Sequence, residues 1–410
     1  MLSGKELPLA RIAQVRPILL SAPYATPASA EVRLHLPSGM RTCGLVEVTL
    51  EDGTTGLGEG YLAVFAPRVF QSIVELIAPH LTGARAAELP QRLREMELVC
   101  DYWSQEGAAR HAIAAVETAL VDACAKRAGL PAWAFLGGAA PHPLALYASG
   151  GDAVTPEEMA AEVDAVAALG LRTFKIRARP HQARKAAWTL EHAARRGVAI
   201  AVDMVQNLAV PGQTVEGALA FLREVRSRTS HGLAFFEEAL GLDELERCPQ
   251  LRAEAGVRIA GGEIVTTARE LTRRIRLGFY DYAQPDATVI GGMQQTMRVF
   301  AACREHGAEA VVHCWGAGVG QMANYHAAFA GGGRLAEWPM PRFELRDALL
   351  AAPLCVRDGA LAAPQAAGLG VRLTPEIERA YAFRPEAVYH CLARPDGLGD
   401  EAVWTSGEAR

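Results

Sequence analysis

The chain has 410 residues, half of them hydrophobic, so it can bury a large core and is not disordered. Lysine and arginine together number 41 against 46 aspartates and glutamates, and the net charge of −5 offers no polycationic surface for nucleic acid or an anionic membrane. The apolar runs are far shorter than the roughly 20 residues that span a bilayer, and the N-terminal segment lacks a signal-peptide core, so we expect a cytoplasmic protein that acts on small molecules.

The first third of the chain has the pattern of a small mixed unit. Residues 46–61 alternate apolar and polar side chains, break at Asp52-Gly53 and then resume, which is typical of a β-hairpin. Helical spacing follows over residues 69–81, 88–100 and 107–129, the last of these rich in alanine and closed by a glycine. The pattern predicts an α+β unit over residues 1–143.

A regular alternation of strands and helices begins at Leu144. Short apolar runs recur, separated by helical stretches such as 157–169 and 291–306. The eight runs are 144–148, 173–176, 199–202, 233–236, 258–260, 280–283, 310–312 and 334–336. Eight strand-helix steps over about 200 residues predict an α/β fold with a (β/α)₈ TIM barrel over residues 144–352. Residues 353–410 return to short strands and turns.

The second predicted barrel strand ends in two cations, Lys175 and Arg177. In an extended chain, residues two apart point to the same face, so both cations point one way while Ile176 takes the other. This pattern alone fits either a strand end exposed to solvent or one wall of a site at the barrel mouth. The other strand ends favour the second interpretation.

The third, fourth and fifth predicted strands each end in a carboxylate, namely Asp203, Glu237 and Glu263. The C-terminal ends of barrel strands form one rim, where unpaired carboxylates repel each other and are costly to desolvate. A divalent cation resolves this problem, and an all-oxygen donor set favours Mg²⁺. A single such residue is commonly a helix cap or a surface charge, but three in succession predict a metal site.

The last three strands add acid-base groups to the same rim. The sixth ends near Asp286 and the seventh at His313, so the carboxylate can hold one ring nitrogen and raise the basicity of the other. This pair predicts a general acid-base dyad. The eighth strand adds Glu337 as a hydrogen-bond donor or electrostatic partner if its environment raises its pKa, although a solvent-facing position fits equally well.

Taken together, these strand ends resemble those of the enolase superfamily and, within it, the mandelate racemase subgroup, over nearly the whole chain. The resemblance implies a modified barrel beneath an α+β capping domain that is built from residues 1–143 and 353–410. It also implies that Mg²⁺ is held by the three carboxylates, that His313 with Asp286 moves the proton α to a substrate carboxylate, and that Glu337 contacts the resulting enediolate.

Three positions depart from the family pattern. Arg177 stands where two-base racemases have a lysine, and an arginine with a pKa above about 12 is a poor proton acceptor. The sixth strand lacks the lysine of the muconate-lactonizing branch. Val205 replaces an asparagine that many relatives have, with Gln206 and Asn207 as partial substitutes. Lys175 remains a candidate base if Arg177 lowers its pKa.

These departures predict chemistry with a single base, in which Lys175 and Arg177 stabilise the negative charge of the substrate carboxylate and the enediolate. Dehydration of a sugar acid to a 2-keto-3-deoxy acid is the reaction of this kind that the resemblance implies. The alternatives are a racemase or epimerase of a 2-hydroxy acid and a cycloisomerase of an aldarolactone. We expect the protein to be a homo-oligomer that binds a small-molecule carboxylate as its substrate. Cap loops 21–27 and 60–67 are expected to determine which substrate it accepts.

Two other classes of barrel compete with this interpretation. A phosphate-binding aldolase or isomerase would use Gly331-Gly332-Gly333, but these glycines precede the last strand and predict a helix-to-strand turn. The run 316–320 lacks the spacing of a dinucleotide-binding loop and predicts a tight turn behind His313. A non-catalytic barrel would have no use for three metal-binding carboxylates beside a His-Asp dyad.

Overall fold

The computed structural model of the protein describes residues 10–25, 30–139, 142–392 and 401–404. The chain opens with β1 (Ile12–Pro23), α1 (Ala30–His35), β2 (Met40–Leu50) and β3 (Thr55–Glu59), and β2 is the central strand of an antiparallel sheet. The predicted hairpin is present between β2 and β3. Its turn needs Gly53, whose φ of +83° lies in the left-handed region that glycine adopts without penalty.

The helices that follow this sheet in the chain pack against it or against each other. They are α2 (Pro67–Leu81), α3 (Leu89–Cys100), α4 (Ala108–Arg127) and the short α5 (Ala132–Phe135). α4 is buried along most of its length and packs against β3, where Gly56 and Gly58 lie directly on its backbone and leave no room for a Cβ atom. Small residues on α4 and β3 therefore allow the helix and the strand to pack closely against each other.

The second region is the predicted barrel. Its elements are β4 (Leu144–Gly150), α6 (Pro156–Ala168), β5 (Thr173–Arg177), α7 (Ala183–Ala194), β6 (Ala199–Asp203), α8 (Val215–Arg226), β7 (Phe236–Glu237), α9 (Cys248–Ala255), β8 (Ile259–Gly261), α10 (Ala268–Arg276), β9 (Tyr282–Ala283), α11 (Met293–His306), β10 (Glu309–Ala310), α12 (Gly318–Gly331) and β11 (Leu335–Pro339). The strands pair in parallel in chain order. β11 pairs with β4, and a parallel bridge between Val312 and Ala336 closes the ring. The predicted barrel class is confirmed.

Side chains fill the barrel interior below the strand ends. Tyr147 packs edge-on against Phe235 with ring centres 5.5 Å apart, and Ala201, Ala260 and Val311 complete this layer. On β5 the side chains of Phe174 and Ile176 belong to the core outside the strands, so Lys175 between them points inward. The interior is therefore a packed floor beneath the C-terminal rim.

The last part of the chain contains α13 (Glu344–Ala348), β12 (Val356–Arg357), β13 (Ala360–Leu361) and α14 (Pro375–Ala380). β13 pairs antiparallel with the start of β4. Beyond it, Ala382 bridges Leu20 of β1, and Glu378 forms an ion pair with Arg16 at 2.9 Å. The C-terminal segment thus returns to the capping region, as expected, while the domain limits 1–143, 144–352 and 353–410 stay predictions. Within the described ranges, each helix is too short or too polar to cross a membrane.

The two glycine-rich stretches have structural roles. α12 ends at Gly331, and Gly332, with φ of +75°, turns the chain toward β11. This turn precedes the strand, so it lies at the end of the barrel opposite the rim. The stretch after His313 leads into α12, where the backbone N–H groups of Ala317 and Gly320 donate to Glu59 of the cap, each at 2.7 Å.

Candidate active site

A cavity of about 310 Å³ lies between the barrel rim and the capping domain. Its barrel wall contains Lys175, Arg177, Asp203, Glu263 and His313. Its cap wall contains Tyr24, Arg41, Tyr61, Phe65 and His111. The structure therefore brings residues of both cap loops to the cavity, although positions 26 and 27 of the first loop lie outside the described residues.

The three predicted metal ligands follow successive strands; Glu237 and Asp203 are buried, and Glu263 is half-buried in the cavity wall. Asp203 ends β6, Glu237 ends β7, and Glu263 follows β8. Burial raises the pKa of Glu237, and Asp203 and Glu263 raise it further against the opposing effect of Lys175. Burial and Glu263 likewise raise the pKa of Asp203, again against Lys175. Negatively charged carboxylates are thus close to one another in a low-dielectric environment, and a bound cation would reduce their repulsion.

The ammonium group of Lys175 neutralises part of this charge. Its Nζ donates to Glu237, lies 2.8 Å from Glu337 Oε1 and 4.0 Å from Asp203 Oδ2. Burial disfavours the charged amine, but Glu237 and Glu337 outweigh it and raise the pKa of Lys175 well above its ordinary value. The expectation that Arg177 could lower this pKa was wrong, because three surrounding carboxylates dominate the local field.

The donor set fits a hard divalent cation, since it is all oxygen and its negative charge exceeds what one lysine can neutralise. In the conformation described for these parts of the chain, however, no three His, Cys, Asp or Glu side chains converge as the ligands of one ion. Glu237 is instead held by Lys175 and by Gln284 Nε2 at 2.5 Å. Metal binding at Asp203, Glu237 and Glu263 stays a prediction.

His313 and Asp286 form a hydrogen-bonded pair, with Nδ1 of the ring 2.8 Å from Asp286 Oδ2. The other carboxylate oxygen of Asp286 accepts hydrogen bonds from Thr288 N at 2.8 Å and Asn324 Nδ2 at 2.9 Å, so its orientation is fixed. Nε2 of His313 faces the rim, 3.3 Å from Glu263 Oε2. Burial alone would lower the pKa of His313, but Glu263, Glu337 and Asp286 raise it to about 10.

Glu337 is fully buried and accepts hydrogen bonds from three directions. Cys314 N donates to Oε2 at 2.7 Å, Trp315 Nε1 donates to Oε1 at 3.1 Å, and Lys175 is its ion-pair partner. Burial favours the neutral acid, but Lys175 and His313 hold the pKa of Glu337 below its ordinary value. Both earlier expectations for Glu337, a solvent-facing position and a neutral donor with raised pKa, are therefore wrong.

Arg177 lines the same cavity as Lys175, as the strand alternation predicts. Its Nη1 donates to Asp152 Oδ1 at 2.9 Å and Oδ2 at 2.8 Å. The guanidinium carbon lies 4.4 Å from the centre of a Trp315 ring, a cation–π distance. Arg177 is therefore a fixed positive charge in the wall.

Val205 has a left-handed backbone conformation, with φ of +52° and ψ of +34°. A β-branched side chain is unfavourable there, whereas asparagine tolerates it. An amide two residues further on does reach the site, since Asn207 Nδ2 donates to Glu263 Oε1 at 3.2 Å. Partial substitution by Asn207 thus has a structural basis.

Sequence reasoning missed several residues of the site. Asp152 follows the first barrel strand, so the strand-end rule that found Asp203 points to it as well. Gln284 and Asn324 are neutral residues that hold Glu237 and Asp286, and their sequence context carries no comparable signal. Arg41 lies within β2 of the cap, where nothing in the sequence relates it to the barrel rim.

Comparison with known proteins agrees with this geometry. Residues 158–377 match the family model described as Enolase C-terminal domain-like, and residues 35–137 match the N-terminal domain of mandelate racemase / muconate lactonizing enzyme. An arabinonate dehydratase of Saccharolobus solfataricus is 26% identical over 82% of this chain and 89% of its own length. A 3,6-anhydro-alpha-L-galactonate cycloisomerase of Streptomyces coelicolor is 28% identical over 85% and 94%.

A solved structure has the same fold. It is the L-talarate/galactarate dehydratase of Salmonella typhimurium liganded with Mg and L-lyxarohydroxamate, with a TM-score of 0.78, 24% identity and coverage of 93% of this chain and 96% of that one. At this identity the likeness establishes the fold alone. The two family models, however, cover more than half of the sequence and divide it as the capping region and the barrel do. The chain therefore belongs to the mandelate racemase subgroup of the enolase superfamily.

Proposed function

We propose that the protein is a Mg²⁺-dependent acid-sugar dehydratase, which removes the proton α to a carboxylate, forms an enediolate and expels the β-hydroxyl group. The observation that carries the proposal is the asymmetry of the rim. His313 is oriented by Asp286 with Nε2 facing the site, whereas Arg177 on another wall is a permanent cation paired with Asp152. Elimination needs only one base, whereas two-base racemisation needs a second proton acceptor, which the permanently charged Arg177 cannot provide.

Asp203, Glu237 and Glu263 would hold the metal. Bound there, Mg²⁺ would polarise the substrate carboxylate and offset the carboxylate charge that keeps the pKa of His313 high. Neutral His313 then accepts the α-proton at Nε2, while Asp286 holds Nδ1–H. The C–H electron pair becomes the double bond of the enediolate, whose negative charge Lys175 and Arg177 stabilise.

The second half of the reaction reuses the same ring. Protonated His313 donates from Nε2 to the β-hydroxyl, the C–O bond breaks with its electron pair, and water leaves. The resulting enol tautomerises to the 2-keto-3-deoxy acid. No group outside the substrate and the chain is consumed, because the proton taken from the α-carbon departs with the water.

The relatives support this class of reaction and keep a second candidate open. The arabinonate dehydratase supports elimination, and the cycloisomerase of Streptomyces coelicolor favours a cycloisomerase as the alternative. Both reactions need α-proton chemistry and a β leaving group, so the present site suits either. We also propose a cytoplasmic homo-oligomer that binds neither nucleic acid nor membrane, in keeping with the net charge of −5.

The test is a screen of acid sugars with Mg²⁺ for 2-keto acid product, accompanied by proton NMR in D₂O. We expect keto acid from at least one substrate, a loss of about 10³-fold or more in kcat for His313→Asn, and no loss for the surface control His306→Asn. Exchange of the α-proton with inversion and no keto acid would indicate a racemase. Conversion of a lactone without loss of water would indicate the cycloisomerase.

A further inference from the structure

Arg41 of β2 is a buried cation in the cap wall of the active-site cavity, with only 3% of the residue exposed. Its Nη1 donates to the hydroxyl of Tyr24 at 2.9 Å. Its Nε and Nη2 are buried and have no hydrogen-bond partner. Among the described carboxylates, none forms an ion pair with Arg41. A buried guanidinium without a carboxylate in direct contact is unfavourable, so its two free donors favour binding of an anion.

Glu59 is the candidate within the chain for an ion-pair partner of Arg41, but its carboxylate already accepts other hydrogen bonds. Glu59 ends β3, and its two carboxylate oxygens accept the backbone N–H groups of Ala317 and Gly320, each at 2.7 Å. These N–H groups belong to the N-terminal turn of α12, which favours a negative charge at this place. Glu59 therefore links the cap to the barrel and leaves the donors of Arg41 without a partner.

Aromatic rings hold the guanidinium in position. Its Cζ lies 4.4 Å from the centre of the Phe343 ring, 5.7 Å from Tyr24 and 5.9 Å from Tyr61. Ring faces attract a cation and exclude water, but they carry no net charge that could neutralise it. The group is thus preorganised and dry, which strengthens its interaction with an incoming anion.

The position of Arg41 suits the far end of a substrate. The Tyr61 ring contacts both groups, because its centre lies 5.9 Å from Arg41 Cζ and 6.4 Å from the centre of the His313 ring. An extended six-carbon chain places its terminal carbons about 6 Å apart, with C–C bonds of about 1.5 Å. A molecule of this length that lies along the Tyr61 ring would bring its α-carbon to the His313 side and its other end to the Arg41 side.

Building on the proposed function, we propose that Arg41, with Tyr24 and Tyr61, forms a subsite for a second carboxylate of the substrate. The substrate class is then the aldaric acids of about five or six carbons, which are acidic at both ends, rather than the aldonic acids, which end in a hydroxymethyl group. Two adjacent guanidinium donors match the two oxygens of a carboxylate. The hydroxyl of Tyr24 already accepts from Arg41, so its own proton is available to the same anion.

The test measures binding without turnover. Isothermal titration of the His313→Asn protein, loaded with Mg²⁺, compares glucarate with gluconate, which share chain length and hydroxyl configuration. We expect glucarate to bind about 30-fold tighter or better, and the added Arg41→Gln change to remove that preference. Arg41→Lys keeps the charge but not the paired donors, so it should retain only part of the preference. Tyr24→Phe should reduce it by a smaller factor.

The matched control is Arg16→Gln, because Arg16 lies in the same sheet but already has Glu47 and Glu378 as ion-pair partners at 2.9 Å. It should leave the preference unchanged. Equal binding of the two acids by the parent protein, or equal weakening of both by Arg41→Gln, would overturn the subsite and assign Arg41 a structural role. If Arg41→Gln does not fold, Arg41→Lys and Tyr24→Phe decide, and an unchanged preference in both would overturn the subsite.

The subsite and the proposed function can fail separately. Tight binding of glucarate with no 2-keto acid from any diacid would preserve the subsite and reject the dehydratase. Keto acid from aldonic acids, with no preference for diacids in binding, would preserve the dehydratase and reject the subsite.

Discussion

Nδ1 of His313 lies 2.8 Å from Asp286 Oδ2, and Asp286 is itself held by Thr288 and Asn324 through its other oxygen. This chain of contacts fixes the ring tautomer, so that Nε2 is the nitrogen available to the substrate. Replacing Asp286 by asparagine keeps the volume but removes the charge and offers an amide that can stabilise the wrong tautomer. The carboxylate therefore matters through its charge and its orientation together.

We expect Asp286→Asn to lower kcat by about 10² to 10⁴-fold, with a smaller change in KM. The measurement is steady-state kinetics on whichever acid sugar is turned over, with circular dichroism as a check of folding. Asp243→Asn, an exposed position in a surface turn, is the matched control and should leave kcat unchanged. Equal activity of Asp286→Asn and the parent would refute the dyad.

The raised pKa of His313 predicts a dependence of stability on pH in the metal-free protein. The ring is more basic in the folded chain, about 10, than in the unfolded chain, about 6.5. Its contribution is therefore fully present below about pH 6.5 and is lost as the pH rises toward about 10, at up to 1.4 kcal/mol per pH unit. Urea unfolding with EDTA should show this loss, and His313→Asn should flatten it.

Added Mg²⁺ should reduce the slope as well, if the predicted ligands bind it, because charge compensation at Glu263 weakens the attraction that keeps His313 protonated. An unchanged slope in His313→Asn would mean that other groups cause the loss, such as the buried Glu237 and Glu238, whose pKa values burial raises to about 8. The comparison between these two proteins is thus the decisive one.

Lys175 should act as a substitute for the metal. It contacts Glu237 and Glu337 and lies 4.0 Å from Asp203, so Lys175→Met leaves buried carboxylates without their cation. We expect a loss of about 3 to 5 kcal/mol in the free energy of unfolding in EDTA, and a larger recovery on adding Mg²⁺ than the parent shows. Thermal unfolding with and without Mg²⁺ measures both effects.

Lys185→Met provides the comparison, since Lys185 is also buried but donates to the carbonyl oxygen of Gly151 at 2.8 Å. Its loss of stability should be the same with and without Mg²⁺. If Lys175→Met responds to Mg²⁺ no more than Lys185→Met does, the predicted metal site is wrong.

The barrel and the clustering of charged residues at its rim could be predicted from the sequence. The C-terminal ends of parallel barrel strands lie at one rim even when the exact bounds of the strands are uncertain. The fourth barrel strand shows the limit: the pattern predicted it over 233–236, whereas the ladder forms only over Phe236–Glu237. Apolar character marks burial, but the hydrogen bonds that define a strand depend on its neighbours.

The ionisation of Glu337 was beyond the sequence for a related reason. Besides burial, its pKa depends on Lys175 two strands away and on His313, and neither distance can be read from spacing. The same holds for Arg41, whose partners come from three separate segments of the chain. Residues that follow a strand end can be located from sequence, but the charges that face them cannot.

Asp152 and Arg177 should act as one unit. Asp152 accepts both hydrogen bonds of Arg177 Nη1, and it fixes the guanidinium over Trp315. We expect Asp152→Asn to lower kcat/KM by about tenfold through misplacement of Arg177, and Arg177→Gln to lower it by more. In the double variant the two losses should not add. Additive losses would contradict the prediction, because they would show that Asp152 and Arg177 act independently.

Val205 should carry strain that a single substitution relieves. Its φ of +52° places a β-branched side chain in the left-handed region, in the wall of the active-site cavity. Such a conformation costs about 1 to 3 kcal/mol and persists only where the surroundings impose it. Asparagine tolerates the left-handed region, so Val205→Asn should raise the free energy of unfolding by about 1 kcal/mol in urea titrations.

Val205→Ala separates strain from side-chain size, because alanine removes the branch but keeps the Cβ atom that disfavours positive φ. It should therefore gain less than Val205→Asn or lose stability. The gain should come with reduced turnover if the valine shapes the cavity beside Asp203, a trade-off that kinetics on the same proteins would reveal. A less stable Val205→Asn would mean that the packing of the valine against its neighbours outweighs its backbone strain.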